Sequence, residues 1–283
     1  SKVDDIRLPI ITDPLKSRDG LVAGDILRSV KLGLLPRVDV YQGLIDALVK
    51  QGYHEETWKA PGPNADRSSV FVFPYDWRLD NVQNAQLLVD RVESVKKKLA
   101  KPELKFDIIA HSMGGLIARY AAMYGSADLP PAGRKAVPTW AGDKLFGKIV
   151  LLGTPNEGSP LTLEGFINGE TFGPVAINLP FVRNISRFDV FTMPAAYELL
   201  PAPGTFRLMD ADMKQISVDL YDPKVWAKYG WDPIEDPKFD KTFTSAERKA
   251  APIFFAKMLE RAKLFHEALS AVSNTKPSVE FAL

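Results

Sequence analysis

The sequence predicts an α/β fold in which a mostly parallel β-sheet is covered by helices. Short apolar runs of strand length, among them "SVFVF", "FDIIA" and "KIVLLG", alternate with helical segments up to Gly153. These runs are apolar enough to be buried on both faces, which is typical of parallel strands between layers of helices. None approaches the roughly 18 apolar residues that a membrane-spanning helix needs. We therefore expect no transmembrane segment.

The first elements are a helix and a strand. The segment "YQGLIDALVKQGY" predicts a short helix that Gly52 ends, because its apolar residues fall on one face. The alternating bulky residues of "SSVFVFPYDWR" predict a strand that is broken at Pro74. The apolar face of the helix comprises Leu44, Ile45, Leu48 and Val49.

An amphipathic helix and a strand–helix–strand unit follow. The helix "NAQLLVDRVESVKKKLA" carries one apolar stripe, with the lysines opposite. The strand "KFDIIA", the helix "MGGLIARYAAMYG" and the strand "GKIVLLG" then continue the alternation. The apolar stripe comprises Leu88, Val92, Val95 and Leu99.

The amino-acid composition changes after the predicted strand at 148–152. This change divides the chain into three expected regions. Residues 1–159 form the core, and residues 160–244, rich in proline, glycine and aromatics, are expected to form a cap or lid insertion. Residues 245–283 return to the core with a long helix and the start of a further strand. Thr244 and Glu247 have the spacing of a capping box at the start of that helix.

Composition excludes several classes of function. The net charge is +1, from 36 basic and 35 acidic residues without blocks of one sign, so we expect no nucleic-acid partner. There are 0 cysteines, which excludes disulfides, thiolate metal sites and a cysteine nucleophile. No histidine pair has metal-ligand spacing, and we expect neither a metal nor a cofactor. The lack of cysteines and of a visible signal peptide favours a soluble, cytoplasmic protein.

The motif "AHSMGG" is the candidate for a catalytic nucleophile. Ser112 stands between a strand and a helix with Ala110 and Gly114 two residues to either side, which is the pattern of a nucleophile elbow. This turn would expose the Ser112 hydroxyl above the carboxyl edge of the sheet. The Met113 N–H, at the helix start, would then donate to an oxyanion. The alternative is a serine that only makes a tight connection between strand and helix.

A serine nucleophile needs a base, and the 3 histidines are poorly placed for that role. His111 is adjacent to Ser112, so its side chain diverges from the serine, and we expect it to pack under the turn. His54 is expected in a surface loop, and His266 lies mid-helix, which favours a packing or helix-surface role. Glu157 and His266 remain a possible relocated acid and base if both converge on Ser112.

Three motifs together resemble the lecithin:cholesterol acyltransferase-like family of α/β hydrolases, bacterial members especially. They are "FVFPYDWR", "AHSMGG" and "LLGTPNEGSP", in that order, and the similarity covers roughly residues 40 to 235. The resemblance implies an α/β-hydrolase fold and a serine-dependent acyl-ester hydrolase or O-acyltransferase. It would act on lipid-like esters through an acyl-enzyme on Ser112.

The sequence departs from the family pattern at both ends. The family has an oxyanion loop of the "PG-x-x-GS" type near its start and an acid in a "GDGTV"-like stretch, followed by a histidine. Neither stretch occurs here, so we expect a central fragment whose triad Asp and His lie beyond Leu283. The alternative is a non-catalytic lipid-binding or interaction protein that retains the scaffold without a complete triad.

Further candidates lie in "PYDWR" and in the insertion. Tyr75, Asp76 and Trp77 follow a strand at the expected active-site edge and are candidates for the substrate pocket. Asp76 and Arg78 have an equally good interpretation as a structural ion pair. The aromatics of residues 160–235 either line an acyl pocket or lid, or pack a small core of their own.

Overall fold

The computed structural model of the 283-residue chain describes residues 6–30, 38–62, 65, 67–169 and 185–283. Residues 170–184, which belong to the predicted insertion, lie outside the described residues.

The helices alternate with strands in the first half of the chain and dominate the second half. The described α-helices are α1 (Gln42–Lys50), α2 (Asn81–Lys98), α3 (Met113–Tyr124), α4 (Pro160–Asn168), α5 (Arg187–Phe191), α6 (Pro194–Glu198), α7 (Pro223–Tyr229), α8 (Phe239–Thr242) and α9 (Ser245–Leu269).

The strands are short, and several pair in parallel. They are β1 (Ser29–Val30), β2 (Val38–Asp39), β3 (His54–Glu56), β4 (Ser69–Phe71), β5 (Phe106–His111), β6 (Phe146–Leu152), β7 (Leu208–Met209), β8 (Gln215–Ile216) and β9 (Glu280–Ala282). This mixture of helices and parallel strands confirms the α/β class.

The sheet is divided into separately hydrogen-bonded pieces within the described chain. Strands β5, β6 and β9 form one parallel sheet in that order, and β3 and β4 form a second parallel pair. The two short pairs β1–β2 and β7–β8 are antiparallel. The further strand expected at the end of residues 245–283 is β9, which pairs in parallel with β6.

Helices cover one face of the β5–β6–β9 sheet. Ala110 and Ile149 point into a core formed with α2, α3 and the end of α9. On the opposite face, Ile109 is 47% exposed and Leu152 is 41% exposed. The expectation that both faces are buried is therefore wrong for the described part of the chain. Apolar content alone does not distinguish a covered face from an open one.

Helix α1 is also less buried than its pattern suggests. Ile45 is the buried residue of its apolar face, whereas Leu44 and Val49 are exposed. By contrast, Leu88, Val92 and the rest of the predicted stripe on α2 pack into the core, apart from Leu99 at the end of the helix.

A second core lies in the described part of the insertion. Its large aromatic side chains are fully buried among one another and against the first half of α9. This placement favours the interpretation that they pack a core of their own. The buried rings include those of Phe166, Phe191, Tyr197, Trp226 and Phe239.

Helix α9 connects the two cores. Thr244 and Glu247 form the predicted capping box, and the helix continues through Pro252 for 25 residues. Phe254 and Phe255 pack in the insertion core, while Phe265 packs with α2 and α3 in the sheet core. One rigid element therefore spans both cores.

Helix α3 packs closely against the loop that follows β6, at Gly115. A Cβ on Gly115 would lie 2.6 Å from Cγ2 of Thr154 and closer still to its Oγ1. At Gly114 a Cβ would meet only the Tyr75 hydroxyl, at 3.6 Å, which is an ordinary contact. The nucleophile-elbow pattern has a glycine at position 114, but the tighter packing constraint falls one residue later, at Gly115.

We expect Gly115→Ala to lower the free energy of unfolding by about 2 kcal/mol, because the added methyl group overpacks the contact with Thr154. The matched control is Gly114→Ala, which should leave stability unchanged or slightly raised, because alanine favours helix by up to about 1 kcal/mol. Urea unfolding of both variants measures this difference. Equal stability of the two would contradict the packing described at Gly115.

Candidate active site

Ser112 has a strained backbone. Its φ of 51° and ψ of −130° place a non-glycine residue in the positive-φ region, between the end of β5 and the first residue of α3. The Ser112 N–H donates a hydrogen bond to the Leu152 carbonyl of β6 at 2.9 Å. This sharp strand–turn–helix geometry is what a nucleophile elbow requires.

The hydroxyl of Ser112 is not used to cap the helix that it precedes. Ser112 occupies the N-cap position of α3 but makes no side-chain capping hydrogen bond. The first N–H groups of a helix lack partners within the helix, and the helix dipole adds positive potential there. The Met113 and Gly114 N–H groups are thus donors beside Ser112, at a position suited to stabilise a developing negative charge.

Tyr75 lies at the same helix start. Its hydroxyl is 3.6 Å from the position of a Cβ on Gly114, and its ring stacks on Phe73 with centroids 5.7 Å apart. Burial raises the pKa of Tyr75 to about 12, with a smaller contribution from the neighbouring Tyr41. The hydroxyl is therefore protonated at neutral pH.

Asp76 and Arg78 form an ion pair inside the protein. The Asp76 carboxylate accepts from Arg78 Nε at 2.9 Å and from Nη2 at 2.7 Å, and Arg78 also binds Asp19 at 2.6 Å. These contacts favour a structural role for the pair, in which it holds the loop after β4 in place. Trp77, between them, is 46% exposed.

His111 is an exposed residue on β5, so the expectation that it packs under the turn is wrong. The strand alternates, and His111 falls on the open face of the sheet. Its Nδ1 is hydrogen-bonded to the Tyr41 hydroxyl at 2.8 Å. His54 is likewise exposed, but it lies in strand β3 rather than in a loop.

His266 is buried on α9, with 1% of its surface exposed and no hydrogen-bond partner for its Nε2. Burial lowers its pKa to about 4, and a hydrogen bond with the Leu200 backbone partly opposes this shift. Glu157 is exposed, and its carbonyl accepts from Ala202 N–H at 2.9 Å. Across the described ranges, no hydrogen bond joins His266 to Ser112 or Glu157.

A family model describing lecithin:cholesterol acyltransferase matches residues 12–247 of this chain, which is most of its length. The chain belongs to the lecithin:cholesterol acyltransferase family. The resemblance found in the motifs is thereby confirmed.

Two further similarities were found. The uncharacterized protein YJR098C of Saccharomyces cerevisiae is 24% identical over 245 residues, which cover 86% of this chain. This family member spans 30% of the length of that relative. The crystal structure of the Tle4–Tli4 complex contains a chain that is 18% identical, with a TM-score of 0.45, over 92% of this chain and 51% of that one.

This family member also contains a buried polar cluster that the sequence did not reveal. Asp80 caps α2, and Arg261 of α9 donates to it at 2.5 Å. The Asn81 N–H donates to the buried Glu198 carboxyl at 2.7 Å, and burial raises the pKa of Glu198 well above its usual range. The partners lie more than a hundred positions apart, and no local pattern marks them.

The described ranges contain no group of three or more His, Asp or Glu residues that could hold a metal ion. No described helix has the length and apolarity to cross a membrane. A cavity of about 180 Å³ lies in the insertion, between the Pro201–Gly204 segment and Tyr221, and the candidates Tyr75, Asp76 and Trp77 are not among the residues that line it.

We expect His266 to make stability depend on pH. Its folded pKa of about 4 lies below the ordinary 6.5, so the unfolded chain binds the proton more tightly. The stability that the fold gains by keeping His266 neutral is fully present above about pH 6.5. It is lost as the pH falls toward 4. Between about pH 7.5 and about pH 5 the loss should be about 2 kcal/mol.

Urea unfolding at the two pH values measures this loss for the wild type and for His266→Gln. The variant should lack that part of the pH dependence, whatever its stability at neutral pH. An identical pH dependence in both proteins would show that His266 is not held neutral by burial.

Proposed function

We propose that this family member acts as a serine-dependent acyl-ester hydrolase or O-acyltransferase on lipid-like esters, with Ser112 as the nucleophile. The observation that carries the proposal is the strained backbone of Ser112 at the start of α3. Strain of this kind costs of order 1–3 kcal/mol and is retained where it positions a functional group. Family membership supports the class of substrate. Because the chain spans 30% of its yeast relative, the activity of the whole protein is part of the proposal.

The proposed chemistry has two stages, acylation of Ser112 and then its deacylation. The Ser112 Oγ attacks the ester carbonyl carbon and loses its proton to a base, while the carbonyl π electrons move onto oxygen. The Met113 N–H donates to that oxyanion. The tetrahedral intermediate then collapses, the ester C–O bond breaks, and the alcohol leaves with a proton from the base. Water or a second alcohol attacks the acyl-enzyme in the same way and releases Ser112.

None of the described histidines is hydrogen-bonded to Ser112. His111 is turned to the exposed face of β5, and the buried His266 makes no hydrogen bond to Ser112. Without a base, the hydroxyl of Ser112 is an ordinary alcohol. We therefore propose that the whole protein supplies an acid and a histidine to Ser112 from outside residues 1–283, with the Glu157–His266 pair as the alternative.

We further propose that residues 160–244 serve as a cap at the active-site edge of the core. The insertion is hydrogen-bonded to the loop after β6. Leu152, the last residue of β6, accepts a hydrogen bond from the Ser112 N–H. The Ser159 N–H donates to the Leu199 carbonyl at 2.8 Å, and the Ala202 N–H donates to the Glu157 carbonyl at 2.9 Å. These bonds support a cap anchored where the strand carrying the nucleophile and its neighbour both end.

The test is covalent labelling of the full-length protein with a fluorophosphonate probe. We expect a label on Ser112 and its loss in Ser112→Ala, together with a fall in esterase activity of at least about 10³-fold. The matched control is Ser126→Ala, which changes an exposed serine beyond the other end of α3 and should keep both.

Retention of label and activity in Ser112→Ala would overturn the proposal. If the intact full-length protein takes no label and cleaves no ester, the proposal also fails, and vesicle binding without hydrolysis would then support a non-catalytic lipid-binding protein.

A further inference from the structure

The Tyr75 hydroxyl is close to the helix start that carries Ser112. The 3.6 Å separation from a Cβ position on Gly114 places the phenol oxygen in van der Waals range of the second residue of α3. The Met113 and Gly114 N–H groups belong to the same first turn. A negative charge bound by this turn would therefore form in the neighbourhood of a second kind of donor, the phenol O–H.

The ring of Tyr75 is held on a rigid support. One neighbour in the chain is Pro74, which restricts the backbone, and the ring stacks on Phe73 with an interplanar angle of 27°. The other neighbour is Asp76, whose carboxylate is fixed by two hydrogen bonds from the buried Arg78. A donor that is fixed before the substrate binds stabilises a developing charge without reorganisation.

The Tyr75 hydroxyl is available to donate. With a pKa raised to about 12 by burial, the phenol keeps its proton at neutral pH. The hydroxyl of the neighbouring Tyr41 is already bonded to His111 at 2.8 Å. Among the described residues no such partner is found for the Tyr75 hydroxyl.

We propose that Tyr75 is a further catalytic residue, whose hydroxyl donates a hydrogen bond to the oxyanion alongside the Met113 N–H. The inference rests on the proposed function. When the Ser112 Oγ–C bond forms, the carbonyl electrons move to oxygen, and Tyr75 binds that oxygen without giving up its proton. When the ester C–O bond breaks, the electrons return and Tyr75 is unchanged. The donor thus favours the transition state over the bound ester.

The test is Tyr75→Phe in the full-length protein, which removes the O–H and keeps the ring. Loss of one oxyanion donor typically lowers kcat by about 10²–10³-fold, so we expect a fall of about 10²-fold with KM within about 2-fold. Affinity for an alkyl boronic acid, which forms a tetrahedral adduct with the serine, should fall by a similar factor. The matched control is Tyr41→Phe, which should change kcat by less than about 2-fold.

The outcomes separate the two proposals. If Ser112→Ala keeps full activity, the proposed function fails, and the role of Tyr75 fails with it. If Ser112→Ala is inactive but Tyr75→Phe matches the wild type, only the role of Tyr75 is overturned. A loss of kcat in Tyr75→Phe without weaker boronic acid binding would also overturn it, because a merely structural effect is not specific to the tetrahedral state. Urea unfolding of Tyr75→Phe checks that the fold is retained.

Discussion

The positive φ of Ser112 is the constraint on which the rest of this structure depends. A non-glycine residue in this region persists only where its surroundings determine the backbone on both sides. Here the Ser112 N–H is bonded to Leu152 of β6, and α3 is held against Thr154 through the absence of a side chain at Gly115. The sheet and the helix together impose the turn. Its consequence is a serine hydroxyl that does not cap the helix it precedes.

The surrounding packing keeps α3 in place from a second direction. Helix α9 contributes Phe265 to the core beneath α3, and its Arg261 binds Asp80 at the start of α2. Burying such a charge is costly unless it is paired, so the Arg261–Asp80 contact fixes the relative position of the two helices more than it adds stability. Helix α9 also packs in the aromatic core of the insertion, so one helix contacts both that core and the helices that support the serine.

Features with a local cause were predictable from the sequence. Strands β5 and β6, helices α2 and α3 and the Thr244–Glu247 capping box follow from periodicity and from residue spacing, and all are present. What the sequence did not reveal depends on partners distant in the chain. The open face at Ile109, the carboxyl cluster around Glu198 and the approach of Tyr75 to Gly114 are of this kind. Hydrophobic patterns report how apolar a residue is, but they do not report what covers it.

The proposed function requires that Ser112 carry the acyl group of a lipid-like ester during turnover. Membership of the lecithin:cholesterol acyltransferase family supports acyl-ester chemistry, and the backbone geometry of Ser112 supports this residue as the nucleophile. The most direct measurement is acid quenching of the full-length protein during hydrolysis of an activated fatty acyl ester, followed by peptide mass spectrometry. The account predicts one acyl group, on the peptide that contains Ser112. Turnover with the acyl group on another residue, or with no covalent adduct and undiminished activity in Ser112→Ala, would contradict it.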